Sequence, residues 1–319
     1  RPSAVHFSSR DEDAARRDFT INGMFRDPAT GELLGCREGE RDIRDRLVRA
    51  IGDAHSRIAE DRLRMLRAVR FAARFGFRIE DGTAQAIREH APELRAVSPE
   101  RVGDEMRRML GHAARAEAAR LVEELGLDHA VFGALRGTGA GRNPRVAALP
   151  PQVEWTTALA AWIVDRASGG GGGFMSVPIE SRTSQCAAVR ARLVLSNREA
   201  DTVEAALALR ERIASEFDAA SHAAKARLAS ERGFDDALDL LLCDRAADAA
   251  RWRGEADHIL PTRALPAPLV DGAALIAAGF RPGPGFKPLL DLALDAQLEG
   301  RIATPEEGLS LVREAAGGR

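Results

Sequence analysis

The chain has 319 residues, 45% of them hydrophobic and 29% charged, with a formal net charge of −2. This composition predicts a globular protein of two to four packing units. It contains no run of about 18 apolar residues, which excludes a membrane-spanning helix. Three distant cysteines, Cys36, Cys186 and Cys243, argue against a disulfide framework or a thiolate zinc site. We therefore expect a reducing cytoplasm, and any nucleic-acid binding must come from a local basic face.

The first fifty residues predict a small α/β unit. Apolar positions on either side of an Asp-Pro-Ala-Thr-Gly turn favour a β-hairpin over residues 20–36. The other elements predicted here are a short strand at 5–7, a short helix at 11–17, a helix at 40–47 and an apolar run at 48–51.

After Gly52 the apolar residues follow helical periodicity. The strongest predicted helix covers residues 60–75 and ends at Gly76, since glycine is the usual residue after a helix. Stretches rich in Gly and Pro at 136–152, 168–173 and 260–268 predict loops. Further helices are predicted at 81–91, 98–111, 113–125, 154–167, 184–195, 197–216, 218–230 and 234–253, with one more ending at Gln297 and a last one starting at Pro305.

Arginines recur every three or four positions along the predicted helix at 60–75, at Arg64, Arg67, Arg70 and Arg74. That spacing places them on one helix face, with Asp61 one turn before Arg64. The ordinary interpretation is an exposed helix with ion pairs worth about 0.2–0.5 kcal/mol each. The excess positive charge favours the alternative, a nucleotide site.

Asp61 and Arg64 together have the hydrogen-bonding pattern of a base. A carboxylate only accepts hydrogen bonds and a guanidinium only donates them. Cytosine and adenine present an amine beside a bare ring nitrogen, whereas uracil and guanine present a carbonyl beside an N–H. The pair would therefore satisfy C and A and leave polar groups unpaired against U and G. Arg67 and Arg70 would clamp phosphates.

A second polar cluster, Arg16, Arg17, Asp18 and Asn22, precedes the predicted hairpin. Taken alone, it is best interpreted as a solvated charged turn. Beside a nucleotide helix, however, Arg17 would hold a triphosphate, and Asp18 and Asn22 would hold ribose hydroxyls.

These two segments carry a family resemblance. "RRDFTING", followed some forty residues later by "EDRLRMLRAVRFAARFGF", resembles the bacterial-type (class II) tRNA nucleotidyltransferase and poly(A) polymerase family. The segment at 268–315, beginning "PLVDGAALIAAGF", resembles the tail of CCA-adding enzymes. The resemblance spans nearly the whole chain and is weakest through residues 130–180.

The resemblance implies an α+β fold in which part of a polymerase-β-like nucleotidyltransferase head precedes a mostly helical remainder. It implies a head at 1–52, a neck at 53–111, a body at 112–260 and a tail at 261–319. It also implies roles for the site residues: Asp61 with Arg64 would template the base. The other residues expected to bind nucleotide are Arg16, Arg17, Asp18, Asn22, Arg67 and Arg70.

The chain departs from the family pattern in two places. The family's metal-binding Asp-x-Asp and its glycine-rich phosphate loop, which precede "RRDFTIN", are not in these residues. Asp11 and Asp13 have the spacing but belong to an acidic stretch leading into the arginines. We therefore expect no catalytic or metal-binding residue in this chain, which alone would be inactive, and Mg²⁺ in the full-length enzyme. The second departure is "GCREG" after the hairpin, although Asp42 matches the aspartate that follows.

The function implied is addition of CCA to the tRNA 3′ end from CTP and ATP, with the acceptor stem bound by the helical body. Three alternatives remain: a poly(A) polymerase, an enzyme adding only CC or only A, and a catalytically incomplete RNA-binding fragment. The sequence indicates no oligomeric state. The Asp128-His129 and Asp257-His258 pairs are expected in surface or capping roles, since neither belongs to a larger metal-binding set.

Overall fold

A computed structural model describes residues 13, 16–35, 37–133, 143–167 and 179–317. The chain forms two compact units, Arg1–Glu204 and Ala205–Arg319. The predicted strand at 5–7, most of the helix predicted at 11–17, Cys36 and the glycine run at 168–173 lie outside the described residues. The head, neck, body and tail boundaries remain a prediction.

The first unit begins with the predicted hairpin. Strand β1, Met24–Arg26, pairs antiparallel with β2, Leu33–Gly35. The turn is held by the Asp27 carboxylate, whose Oδ1 accepts the Ala29 N–H at 2.8 Å. The predicted hairpin is present, but it starts later than residue 20, because Thr20–Asn22 is a 3₁₀ turn.

The helix predicted at 40–47 is wrong in its bounds, because α1 covers Arg37–Arg44. Strand β3, Leu47–Val48, pairs in parallel with β4, Arg78–Ile79. Leu47 therefore belongs to a strand and not to the predicted helix. Asp42 of α1 is 1% exposed and accepts the Thr20 hydroxyl at 2.7 Å. This buried bond ties α1 to the residues that precede the hairpin.

The single helix predicted at 60–75 is two helices, α2 at Ala54–Glu60 and α3 at Arg64–Phe75. Between them Asp61 is extended, with φ −148° and ψ 101°. Its Oδ1 accepts the Leu63 N–H at 3.1 Å, a local bond by which aspartate competes with helix formation. Asp61 therefore lies at a helix junction and not on the face of α3. The predicted end at Gly76 is confirmed, with φ 65°.

Helix α3 is the centre of the first unit. Its apolar face, including Met65, Leu66 and Val69, is fully buried. The chain continues through α4, Asp81–His90, and α5, Pro99–Leu110. The later helices of this unit are α6 Arg115–Glu124, α7 Asp128–Phe132, α8 Pro144–Ala148, α9 Trp155–Ala167 and α10 Ile179–Leu193, and the division between the units falls within α11, Asn197–Glu216.

Glycine is needed at Gly103, where α5 meets α10. A Cβ atom there would collide with the Leu193 carbonyl oxygen, which is backbone and cannot move aside. The absence of a side chain therefore permits the two helices to approach closely.

A buried ion network joins α6, α7 and α9. The Arg166 side chain is 0% exposed, and its guanidinium lies 2.9 Å from Asp128 Oδ2 and 3.2 Å from Glu123 Oε1. The Phe132 ring covers the guanidinium at 4.7 Å. The expected surface or capping role of Asp128 is therefore wrong, because its buried partner lies 38 positions away, beyond the reach of local sequence patterns.

The second unit has two apolar clusters. Phe217, Phe234 and Trp252 are in the larger one, and Val270 and Val312 are in the smaller one. The helix predicted from residue 218 starts later, because Phe217–Ala219 is a 3₁₀ turn. Its helices are α12 His222–Ser230, α13 Phe234–Ile259, α14 Gly272–Ala277, α15 Phe286–Leu298 and α16 Pro305–Gly317.

No helix among the described residues combines the length and apolar character that crossing a membrane requires. Helices dominate and the two sheets described have two strands each, in agreement with the predicted α+β class.

Candidate functional site

A cavity of about 490 Å³ in the first unit brings together the two polar segments. We call it the arginine cleft. Every predicted site residue except Arg70 lines it, although the segments lie some forty positions apart. Its lining residues are Arg16, Arg17, Asp18, Asn22, Asp61, Leu63, Arg64, Arg67, Phe71 and Arg101.

Asp18 lies at the base of the arginine cleft and is 8% exposed. Its Oδ1 accepts the Asn22 side-chain N–H at 2.8 Å, and its Oδ2 accepts Arg67 Nε at 2.7 Å. One buried carboxylate thus fixes two of the side chains that face the cavity. Charge-assisted bonds of this kind are about twice as strong as neutral ones.

The segment at 16–22 is held against α2 and α3 from several sides. Arg57 of α2 donates a hydrogen bond to the Arg17 carbonyl oxygen. The Phe19 ring packs edge-on against Phe71 of α3, with centroids 5.8 Å apart. Arg17 itself bonds Asp13 at 3.0 Å. The cleft wall is therefore built by tertiary contacts.

Asp61 and Arg64 face the same cavity but have other partners in this structure. Arg101 Nη2 donates to Asp61 Oδ2 at 2.8 Å, and Arg64 Nη1 donates to Glu60 Oε2 at 2.8 Å. The hydrogen bond from Arg64 lowers the pKa of the Glu60 carboxyl. Both templating candidates are thus oriented before any ligand arrives.

The Asp61 carboxyl is kept ionised by its surroundings. Burial raises its pKa, but the hydrogen bonds from Arg101 and the Leu63 N–H, with the charges of Arg101 and Arg64, outweigh burial and leave the pKa below its usual value. At neutral pH the group is therefore a hydrogen-bond acceptor only.

Arg101 lines the cleft but is not among the residues predicted from the sequence. The Ser-Pro-Glu-Arg start of α5 is recognisable, and it places Arg101 in the first turn of that helix. Nothing in the sequence links that turn to Asp61, which lies forty positions earlier.

Arg70 lies outside the arginine cleft. Its Nε bonds Glu105 Oε2 at 2.6 Å, its side chain is 11% exposed, and it lines a different cavity. Arg70 is six residues beyond Arg64 and three beyond Arg67 on α3, so the rise of the helix carries it past the cleft.

The charge of the cleft favours an anion. Five arginines and two aspartates line it. Its volume is in the range of cavities that take nucleotide-sized ligands. Among the residues that the structure describes, no group of three His, Cys, Asp or Glu side chains is placed to hold a metal ion.

Comparison with protein families gives two matches. Residues 1–49 match the poly A polymerase head domain. Residues 76–136 match the probable RNA- and SrmB-binding site of polymerase A.

Curated relatives match about two fifths of the chain. A CCA-adding enzyme of Geobacillus stearothermophilus is 43% identical over 129 residues, which is 40% of this chain and 32% of that protein. Poly(A) polymerase I of Haemophilus influenzae is 37% identical over 129 residues, 40% of this chain and 28% of that protein. Over these residues the chain is similar to CCA-adding enzymes and to a poly(A) polymerase. The alignments cover about a third of these relatives' length.

Solved structures extend the likeness to the whole length of the chain. The CCA-adding enzyme of Bacillus stearothermophilus, solved in complex with CTP, matches with a TM-score of 0.76 and 25% identity over 100% of this chain and 77% of that one. The Thermotoga maritima CCA-adding enzyme, solved with tRNA, shares the fold, with a TM-score of 0.69 at 20% identity over 96% of this chain and 74% of that one. The predicted fold class, part of a nucleotidyltransferase head followed by helices, is confirmed.

Proposed function

We propose that the protein is a tRNA nucleotidyltransferase that adds CCA to tRNA 3′ ends from CTP and ATP. The observation that carries the proposal is the arginine cleft itself. Two separate motifs converge on one basic cavity, and the candidate base-reading pair faces that cavity.

Base selection rests on Asp61 and Arg64. The ionised Asp61 carboxylate accepts from the exocyclic amine of cytosine or adenine, and the Arg64 guanidinium donates to the adjacent ring nitrogen. With uracil or guanine, the Asp61 carboxylate would face a carbonyl oxygen, which is another acceptor, and the Arg64 guanidinium would face an N–H, which is another donor. Each buried polar group left unpaired costs about 1–3 kcal/mol, which is enough to reject the wrong base at least about tenfold.

The remaining cleft residues bind the sugar and phosphates. Arg16, Arg17 and Arg67 offer guanidinium forks to the triphosphate, and such forks match phosphate geometry. Asn22 contacts a ribose hydroxyl. Asp18, whose oxygens already hold Asn22 and Arg67, acts mainly by positioning them.

Family resemblance implies Mg²⁺ for phosphoryl transfer, where it would stabilise the developing charge. The described residues include no group that fits the ion, so the arginine cleft is assigned only to binding and orienting the nucleotide. We expect the reaction in the cytoplasm, with the tRNA acceptor end as the second substrate.

A poly(A) polymerase is the second candidate, because the Haemophilus influenzae poly(A) polymerase I aligns over as many residues as the CCA-adding enzyme does. An extension assay separates the candidates. The natural protein is given tRNA lacking CCA with CTP alone, ATP alone or both. An enzyme that adds CCA extends the RNA by three nucleotides, an enzyme that adds only CC by two, and an enzyme that adds only A by one. A poly(A) polymerase gives a long ladder of products.

Nucleotide binding by this chain tests the base-reading pair directly. Equilibrium dialysis should show CTP and ATP bound more tightly than UTP and GTP. The double variant Asp61→Ala with Arg64→Ala should bring the UTP/CTP ratio of dissociation constants close to one. A matched control, Arg41→Ala with Asp45→Ala, removes an exposed ion pair of the same unit and should leave that ratio unchanged. An unaltered ratio in the cleft variant would contradict the proposal.

A further inference from the structure

A second cavity, of about 150 Å³, lies in the first unit between α3, α5 and the start of α6. Arg70, Arg74, Arg108 and His112 line it, and the rest of its wall is Ala and Met. It shares no lining residue with the arginine cleft. Its volume suits a single phosphate group with a few waters and is too small for a nucleoside triphosphate.

The cavity carries more positive charge than its surroundings neutralise. Glu105 lies behind it, 4% exposed at its side chain, and is 2.6 Å from Arg70 Nε and 3.6 Å from Arg108 Nη1. The same carboxylate lies 4.0 Å from Arg67 of the arginine cleft, so one carboxylate serves three arginines, two of which line this cavity. Arg74 makes no ion pair or side-chain hydrogen bond with any residue that the structure describes. At least two positive charges thus remain for a ligand.

His112 adds a fourth donor. Its Nδ1 accepts the Ala114 N–H at 3.1 Å, which leaves Nε2 as the ring nitrogen that can donate. Each polar side chain that lines this cavity is thus a donor, and an anion is the ligand that four donors fit.

An aromatic ladder lies beside these arginines. Phe71 lines the arginine cleft, and Phe75 stacks on it with centroids 6.0 Å apart and planes 9° apart. Phe75 is 50% exposed and directly follows Arg74. Exposed aromatic rings beside cations are typical of surfaces that bind single-stranded nucleic acid.

The spacing also fits a nucleic-acid strand. Arg67 in the cleft and Arg74 at the second cavity are seven residues apart on α3, about 10 Å along the helix axis. A stacked strand rises about 3.4 Å per nucleotide, so about three nucleotides span that distance.

We infer that the second cavity binds a backbone phosphate of the RNA whose 3′ end enters the arginine cleft. The inference rests on the proposed function and assigns a residue-level RNA contact to it. The phosphate contact predicted for Arg70 then belongs to the RNA strand and not to the incoming nucleotide.

RNA affinity at several salt concentrations tests the inference, with tRNA lacking CCA as the probe. The variant Arg74→Ala with Arg108→Ala should bind about tenfold more weakly, and its slope of log affinity against log salt should fall by about one. Its CTP affinity should equal that of the wild type. The control, Arg41→Ala with Arg88→Ala, loses the same charge at exposed positions of the same unit and should change RNA affinity less than twofold.

Inorganic phosphate as competitor separates RNA from a free anion. Suppose that inorganic phosphate no longer competes with RNA for the cavity variant, while the RNA affinity and its salt slope stay those of the wild type. The cavity is then a site for a free anion, and the inference is overturned. The inference is also overturned if the cavity variant binds RNA as tightly as the control variant does. In that case tight RNA binding by the wild type would still leave the proposed function standing. A wild-type protein that binds no RNA overturns both. Circular dichroism of each variant checks the fold.

Discussion

The arginine cleft and the buried network around Arg166 use the same chemistry at similar distances. Arg101 lies 2.8 Å from Asp61, and Arg166 lies 2.9 Å from Asp128. The difference is access to water: the Arg101 and Asp61 side chains are 52% and 32% exposed, whereas Arg166 is 0% exposed. An exposed pair can exchange its partner for a ligand, while a buried pair cannot separate without leaving a bare charge in the core. Exposure, more than distance, therefore distinguishes the Arg101–Asp61 pair from the network around Arg166.

The largest effect is expected at the buried network. Arg166→Ala should lower the free energy of unfolding by about 3–5 kcal/mol, because Glu123 and Asp128 lose their buried partner. Urea denaturation followed by circular dichroism measures this. The control is Arg120→Ala, whose side chain pairs with Glu117 and Glu124 but is 44% exposed and should cost below about 1 kcal/mol. If Arg166→Ala and Arg120→Ala lower the free energy of unfolding equally, exposure does not distinguish the two kinds of arginine.

Arg67→Ala should be intermediate. It leaves Asp18, 8% exposed, without its charged partner, so about 1–3 kcal/mol of stability should be lost together with CTP affinity. Arg67→Lys keeps the charge without the planar fork and should recover only part of both. Urea denaturation and equilibrium dialysis give the two readouts. If Arg67→Ala binds CTP as tightly as the wild type does, Arg67 does not contribute to nucleotide binding.

Arg101→Ala should alter selection more than stability. Its exposed ion pair contributes below about 1 kcal/mol to folding. Loss of the hydrogen bond that orients Asp61 should reduce the UTP/CTP ratio of dissociation constants by about threefold to tenfold. Arg101→Lys should restore most of the ratio. A large loss of stability with an intact ratio would show Arg101 to be structural.

The smallest effect is expected from pH. Since the pKa of Asp61 is held below its usual value, the carboxylate stays ionised above that value and would lose its charge only as pH falls through the lowered pKa. The UTP/CTP ratio should therefore be constant between about pH 5.5 and 8. Dialysis at four pH values in one buffer series checks this. If the UTP/CTP ratio instead changes within this pH range, as it would for a carboxyl whose pKa is raised, the electrostatic account of the cleft is contradicted.

Local patterns made much of the fold predictable. The hairpin turn, the end of α3 at Gly76 and the start of α5 each depend on neighbouring residues, and each is found as predicted. The two-residue parallel pairing of β3 with β4 depends on residues about thirty positions apart and has no sequence signal.

Most residues that line the arginine cleft were named from the sequence, but Arg70 lies outside it, Arg101 was not predicted, and the geometry was not predictable. Regular spacing suggested that Asp61, Arg64, Arg67 and Arg70 share a helix face. The hydrogen bond from the Leu63 N–H to Asp61 interrupts the helix, and Arg70 turns to Glu105 instead. Such outcomes depend on which long-range partner is available, as does the contact from Arg101.

The anchoring of residues 16–22 by Arg57 and Arg67 has an engineering consequence. Because α2 and α3 hold that segment directly, these contacts do not involve the exposed tip of the β1–β2 hairpin. The exposed tip at residues 28–31 should accept a peptide tag or a fluorophore loop. A reporter inserted there would leave the contacts of Asp18 with Asn22 and Arg67 in place.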